Sequence, residues 1–157
     1  MNLFQKLHDL CIEKDISIAT AESCTSGLIA SKITTISGSS AYFKGGIIAY
    51  QNEIKIYALD VPAALINKKT EVCADVTEQM AINVLKKFGS DFSVATSGYA
   101  GPKGGTEINP VGTVFISIAA NQKLISKRYV FNGKRESVVS QSVEKSIEFL
   151  IDEIKNQ

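Results

Sequence analysis

Tryptophan is absent from the 157 residues, and histidine occurs once, as His8. A single imidazole excludes histidine-rich zinc sites and HExxH metalloproteases, whose chemistry needs two or more imidazoles on one metal. It also weighs against His-dependent triads, so a base working near neutral pH is expected among Lys, Tyr, Asp or Glu. Cysteine is scarce and odd in number. Cys11, Cys24 and Cys73 are widely spaced and form no CxxC, so they read as reduced thiols rather than a disulfide framework or a zinc site, and no metal is expected. A cytoplasmic location follows as the expectation. Neither sign of charge dominates: 17 basic and 16 acidic residues leave a net +1, and arginine is limited to Arg128 and Arg135. That balance gives no electrostatic reason for a nucleic-acid or membrane-surface partner. No apolar run approaches the roughly 18 residues of a membrane span. The opening residues also lack the basic start and continuous apolar stretch of a signal peptide.

What is present is enough apolar side chain, 45% of the residues, to build the core of a single domain over residues 1–157. Leu3, Phe4, Leu7, Leu10 and Cys11 recur at helical spacing, with His8 on the flank of the stripe. Residues 16–20 alternate like a strand and lead into a helix bearing Leu28, Ile29 and Ile33. After a Gly, Ser and Thr-rich turn at 34–40, residues 45–50 read as a second strand. Asn52 then suits the N-cap of a short helix through about Leu59. Asp75 with Glu78 resembles a capping box, and Val76, Met80, Ala81, Val84, Leu85 and Phe88 mark the buried face of the helix that Gly89 ends. Residues 92–95 form the next expected strand. The runs 111–120 and 124–131, separated by Asn121, Gln122 and Lys123, predict an antiparallel hairpin. A last helix from about Arg135 buries Val138, Val143, Ile147, Leu150, Ile151 and Ile154. The alternation of helices and strands predicts an α/β fold with helices on both sides of a sheet, mixed because of the late hairpin.

Three segments are placed to carry chemistry. Glu22, Ser23, Cys24, Thr25, Ser26 and Gly27 stand where a strand ends and a helix begins, the usual position of a ligand crevice in an open α/β sheet. Helix-start amides there can hold an anion or a developing oxyanion, and Ser23 can attack. On spacing alone, helix capping by Ser23, Thr25 and Ser26 is the more ordinary reading. The run from Tyr50 to Lys55 again crosses from strand to helix. With Asn52 as N-cap, Lys55 takes the third helical position, where the macrodipole disfavours a cation and lowers the amine pKa. A partly neutral Lys can serve a Ser nucleophile as general base, with Tyr50 as relay, although a solvent-facing lysine is the commoner case. The third segment, Ser97 to Thr113, follows an apolar strand, and its backbone could cradle a phosphate or a ring or serve as a structural connection. Residues 98–110 within it hold four of the eleven Gly and two of the three Pro, and it fits neither GxGxxG nor a P-loop. Cys24 is a second conceivable nucleophile, and Gly133, Lys134 and Arg135 could meet an anion at the start of the last helix.

The segments AESCTSGLIA at 21–30, SGSSAYFKGGIIAYQNEIK at 37–55, SGYAGP at 97–102 and NPVGTV at 109–114, in that order, resemble the CinA C-terminal domain family, the nicotinamide-nucleotide amidohydrolases. The resemblance spans about residues 20–115 and extends to the helix opened by Arg135. It implies a three-layer α/β/α sandwich around a mixed β-sheet, free-standing here because a molybdopterin-binding-like domain carried by some members has no counterpart. The implied reaction is hydrolysis of the carboxamide of nicotinamide mononucleotide to nicotinic acid mononucleotide and ammonia. The family's Ser, Tyr and Lys map onto Ser23, Tyr50 and Lys55. Cys24, Thr25, Gly27, Ser97, Gly98, Gly101, Gly104, Gly105 and Arg135 are the expected substrate contacts, Arg135 toward the phosphate. No cofactor is implied; the expected partners are the small nucleotide and further copies of the chain, a dimer among the options. The family's competence-linked name suggests a different reading, a binding or regulatory module with little turnover, and a nucleotide-binding protein that has lost turnover is a third.

Four places depart from the family pattern. Ser26 stands for the first Gly of Thr-Gly-Gly, Gln51 for the Ser between Tyr and Asn, and Lys103 for the Gly after Gly-Pro. The segment Thr70-Glu71-Val72-Cys73 replaces Gly-Ala-Val-Ser. None touches Ser23, Tyr50 or Lys55, so the departures bear on efficiency and substrate range.

Overall fold

Side-chain size alternates along the strands, and that alternation sorts the helices onto two faces of one sheet. The strands are β1 (Ile18–Glu22), β2 (Phe43–Ile48), β3 (Phe92–Gly98), β4 (Thr113–Ala120) and β5 (Lys123–Val130). A computed structural model describes residues 2–157. The sheet order is β2-β1-β3-β4-β5, with β1 parallel to β2 and β3, and β4 antiparallel to both its neighbours. Ile18, Phe92, Val94, Val114, Ile116 and Ile118 point to one face and pack with α1 (Leu3–Lys14), α2 (Leu28–Ile33) and α6 (Arg135–Lys155). The intervening residues are small. Ala19, Ala21, Ala95 and Ala119 let α5 (Ala74–Phe88) approach closely through Val76, Met80, Ala81 and Val84. Leu59 from α3 (Asn52–Leu59) and Ile66 from α4 (Ala63–Lys69) complete that second layer. The outcome is the expected three-layer α/β/α arrangement around a mixed sheet.

The order of the strands places a crevice. From β1 the chain crosses by α2 over one face to β2, then returns by α3, α4 and α5 over the other face to β3. The two crossovers leave β1 on opposite sides, so the carboxyl ends of β1 and β3 open between them, the topological switch point where α/β sheets bind ligands. The Ser23 amide donates to the Thr96 carbonyl at 3.1 Å, which keeps the two strand ends together at that opening.

Local corrections have physical causes. The strands begin two residues later (β1) and two earlier (β2) than alternation suggested, and α4 was not anticipated. Gln51, extended at φ −82°, rather than Asn52, precedes α3, and its carbonyl accepts the Ile54 and Lys55 amides. Asn52 therefore starts the helix, its side chain turns away to Glu71, and Lys55 moves to the fourth position. The expected Asp75–Glu78 capping box does not form. Cys73 holds the N-cap without a side-chain bond, Asp75 pairs with Lys69, and Glu78 accepts from the Ser126 hydroxyl at 2.7 Å. The hairpin closes through Asn121 and Gln122 alone, Gln122 taking φ 63°, while Lys123 joins β5. The last helix does start at Arg135 and buries all six expected apolar residues. Among the described residues, no helix is long and apolar enough to cross a membrane.

Candidate active site

Glu22, the last residue of β1, is a carboxylate with 1% of its surface exposed. Its Oε1 accepts from the Thr25 hydroxyl at 2.7 Å and the Ile29 amide at 2.9 Å, and its Oε2 accepts from the Ala30 amide at 3.1 Å. A buried carboxylate held by three donors is stable where an unpaired one would not be. This changes the role foreseen for the turn. Ser23, Thr25 and Ser26 do not cap α2; Gly27 precedes that helix without a side-chain bond, and Glu22 reaches forward to take the first-turn amides. Those helix-start amides are therefore spent. Within the turn, the amides of Cys24, Thr25 and Gly27 have no acceptor among the described residues. Thr25, fully buried, also bonds the Thr96 hydroxyl at 2.8 Å, so it braces the turn from beneath.

The turn carries Ser23 to the edge of a cavity of about 360 Å³. Across it stands Lys55, buried to 1% exposure. Its Nζ donates to the Tyr50 carbonyl at 3.0 Å, and no ion pair holds it among the described residues. Burial lowers the amine pKa below its ordinary 10.5, opposed by the field of Glu71. The shift expected from a helix position thus arises chiefly from desolvation, which penalises the ammonium directly. No direct hydrogen bond joins the Ser23 hydroxyl to this amine, although both line the same cavity. Cys24 lines it too, with its thiol pushed up to about 12 by burial, which keeps it protonated and removes it as a nucleophile near neutral pH.

Tyr50 serves the site at two points. Its carbonyl holds Lys55, while its half-exposed phenol accepts from Arg135 Nη2 at 2.8 Å rather than facing the amine. Arg135 Nη1 donates to the Gly101 carbonyl at 2.7 Å. The guanidinium thus ties the start of α6 to the β2–α3 corner and to the glycine loop, and retains N–H groups for a ligand. Ser97 donates from its hydroxyl to the Glu71 carbonyl at 2.7 Å and lines the cavity beside Gly98 and Gly101.

The structure does not bring four expected substrate contacts to the cavity wall: Thr25, Gly27, Gly104 and Gly105. Gly27 has φ 93°, and a Cβ there would meet Ile48 Cδ1 at 2.8 Å. A Cβ at Gly105 would meet the Val111 amide nitrogen at 2.7 Å. Both glycines answer to chain packing. Gly104 rests against the Tyr99 ring. Conversely, the cavity includes Asn52, Glu71, Val72, Tyr99 and Lys103, which were not among the expected contacts. Lys103 and Glu71 carried one signal, as departures from the related pattern; nothing in the spacing marked Tyr99 or Val72. Among the described residues no group of three or more His, Cys, Asp and Glu is placed to hold a metal ion.

Comparison with known proteins agrees with this architecture. The family profile described as CinA C-terminal domain matches residues 1–154. A "CinA-like protein" of Flavobacterium psychrophilum is 45% identical over 148 residues, covering 94% of this chain and 35% of that protein. One from Geotalea uraniireducens is 46% identical over 126 residues, covering 80% and 30%. The chain thus spans about a third of the length of these curated relatives. Among solved structures, the competence damage-inducible protein A of Klebsiella pneumoniae superposes with a TM-score of 0.94 at 29% identity, covering 98% of this chain and 95% of that one. The competence/damage inducible protein CihA of Agrobacterium tumefaciens gives 0.94 at 31% identity, covering 99% and 94%.

Proposed function

The chain belongs to the CinA C-terminal domain family, and on that premise we propose that it is a nicotinamide-nucleotide amidohydrolase, cleaving the carboxamide of nicotinamide mononucleotide to nicotinic acid mononucleotide and ammonia. The observation that carries this reading is a hydroxyl and a buried amine of lowered pKa, Ser23 and Lys55, on one cavity at the switch point of the sheet. Neutral Lys55 takes the Ser23 proton as the oxygen attacks the amide carbon. The free amides of the turn, Cys24 first because it lines the cavity, stabilise the oxyanion. The lysine then returns the proton to the leaving nitrogen, the C–N bond breaks, and ammonia departs. Water, deprotonated by the same amine, hydrolyses the Ser23 ester and frees the acid. Catalytic hydrogen bonds are commonly long before substrate binds, so the missing Ser23–Lys55 bond is expected to form in the complex.

Arg135, fixed by Tyr50 and Gly101, is assigned to the phosphate, with Lys103 as a second cation on the same cavity. The phenol of Tyr50 supports this function by orienting the guanidinium, and its carbonyl by holding the amine. Ammonia release from nicotinamide mononucleotide tests the reading. Wild type is expected to turn over and Ser23→Ala to lose about a thousandfold or more. Absence of release by wild type, or full activity in Ser23→Ala, would refute it. Salt-sensitive DNA binding without turnover would favour a regulatory module instead.

A further inference from the structure

Among the residues lining the cavity, Glu71 is the one acidic side chain, set against three basic ones, Lys55, Lys103 and Arg135. Its place is fixed by its own backbone, whose carbonyl accepts from Ser97, and by Asn52, whose amide reaches its Oε2 at 3.5 Å. That long contact is the sole hydrogen bond to the carboxylate among the described residues, and no ion pair neutralises it. Lys55, whose amine feels the Glu71 field, is bound to the Tyr50 carbonyl instead. The other basic side chains on the wall attach elsewhere. Arg135 is anchored on Tyr50 and Gly101, and Lys103 extends from the glycine loop. The cavity wall therefore carries both signs: a carboxylate set beside Ser97 and Asn52, and a guanidinium set on Tyr50 and Gly101.

A ligand suited to that layout carries positive charge near its reacting end and negative charge at the other. Resting on the amidohydrolase reading for the location of the carboxamide, we propose that Glu71 is a specificity residue, its carboxylate selecting substrates whose scissile carboxamide sits on a cationic N-substituted pyridinium ring. A neutral ring of the same shape forfeits that attraction, since a carboxylate in a partly dry cavity discriminates by charge more than by shape.

The test compares nicotinamide mononucleotide with its 1,4-dihydro form, which keeps the carboxamide, ribose and phosphate but has a neutral ring. Calorimetric binding to Ser23→Ala, which cannot consume either ligand, is expected to favour the pyridinium form by about tenfold. In Ser23→Ala with Glu71→Gln the ratio is expected to fall toward one, with affinity for the dihydro form retained. A change in the local fold acts on both ligands alike and cancels in the ratio, while loss of the Glu71 field makes Lys55 less cationic, which favours the pyridinium form and so works against the expected fall rather than mimicking it. A ratio unchanged by Glu71→Gln, equal losses for both ligands, or binding of neither would overturn the proposal. Wild-type ammonia release is read separately: its absence refutes the amidohydrolase reading, while the binding ratio still judges Glu71.

Discussion

Two ionisable side chains are sealed from water to the same degree, one at the end of β1 and one in the first turns of α3, and they are held in opposite ways. Glu22 has three donors on its two oxygens. Lys55 has one acceptor for three N–H groups. A buried carboxylate met by three donors lowers the energy of the one conformation that supplies them. A buried amine with capacity left over is destabilised as an ammonium, and the protein relieves this by making the neutral form easier to reach. The difference fits an architectural role for the first region and, on the proposed amidohydrolase reading, a reactive one for the second, although they lie about the same opening in the sheet.

Substitutions should separate the two sharply. Replacing Lys55 by Met keeps the volume and removes the amine, so turnover of nicotinamide mononucleotide is expected to fall by about a thousandfold or more while thermal unfolding shows no loss of stability. Replacing Glu22 by Ala should do the reverse in kind. The Thr25 hydroxyl and the Ile29 and Ala30 amides lose their acceptor, and chemical denaturation should report a loss of about 3 kcal/mol. Wild-type stability equal to that of Glu22→Ala would erase the distinction.

A smaller effect follows from pH. The folded state holds the Lys55 proton less tightly than the unfolded chain, whose lysine titrates near 10.5. Below the folded-state pKa the full cost of a buried ammonium opposes folding; as pH rises from there to 10.5 that cost disappears. Measured beside Lys55→Met, the wild-type stability deficit should therefore shrink as pH is raised toward 10.5. Smallest of all is the lone histidine. His8 Nδ1 lies 3.3 Å from the Tyr42 hydroxyl beneath α1, outside the cavity lining, so His8→Ala should leave turnover within about twofold and cost about 1 kcal/mol or less. A hundredfold loss of activity from that change would contradict the assignment of the base.

Periodicity made the layers legible because large and small residues alternate on the strands, and the last helix could be read residue by residue from Val138 to Ile154. Ser23, Tyr50 and Lys55 were legible as residues at strand-to-helix junctions, and the order of motifs tied them to a family. Their partners were not. That Glu22 would reach seven and eight residues forward to α2, or that Tyr50 would present its carbonyl to Lys55 and its phenol to Arg135, depends on how β1, β3 and α6 meet in space. Asn52 misled for a related reason: its local capping preference lost to a contact with Glu71, nineteen residues away. Glu71 itself looked like a departure in a loop, and became a wall of the cavity only once α5 was packed beneath the sheet.

The central claim is that a buried, readily neutral amine activates Ser23. The most direct test is ammonia release from nicotinamide mononucleotide as a function of pH, wild type beside Lys55→Met. The rate in wild type should rise with pH through a midpoint below 10.5, the signature of a desolvated lysine losing its proton, and that limb should vanish in Lys55→Met together with nearly all activity. A Lys55→Met protein that keeps the wild-type rate and the same pH profile would contradict it.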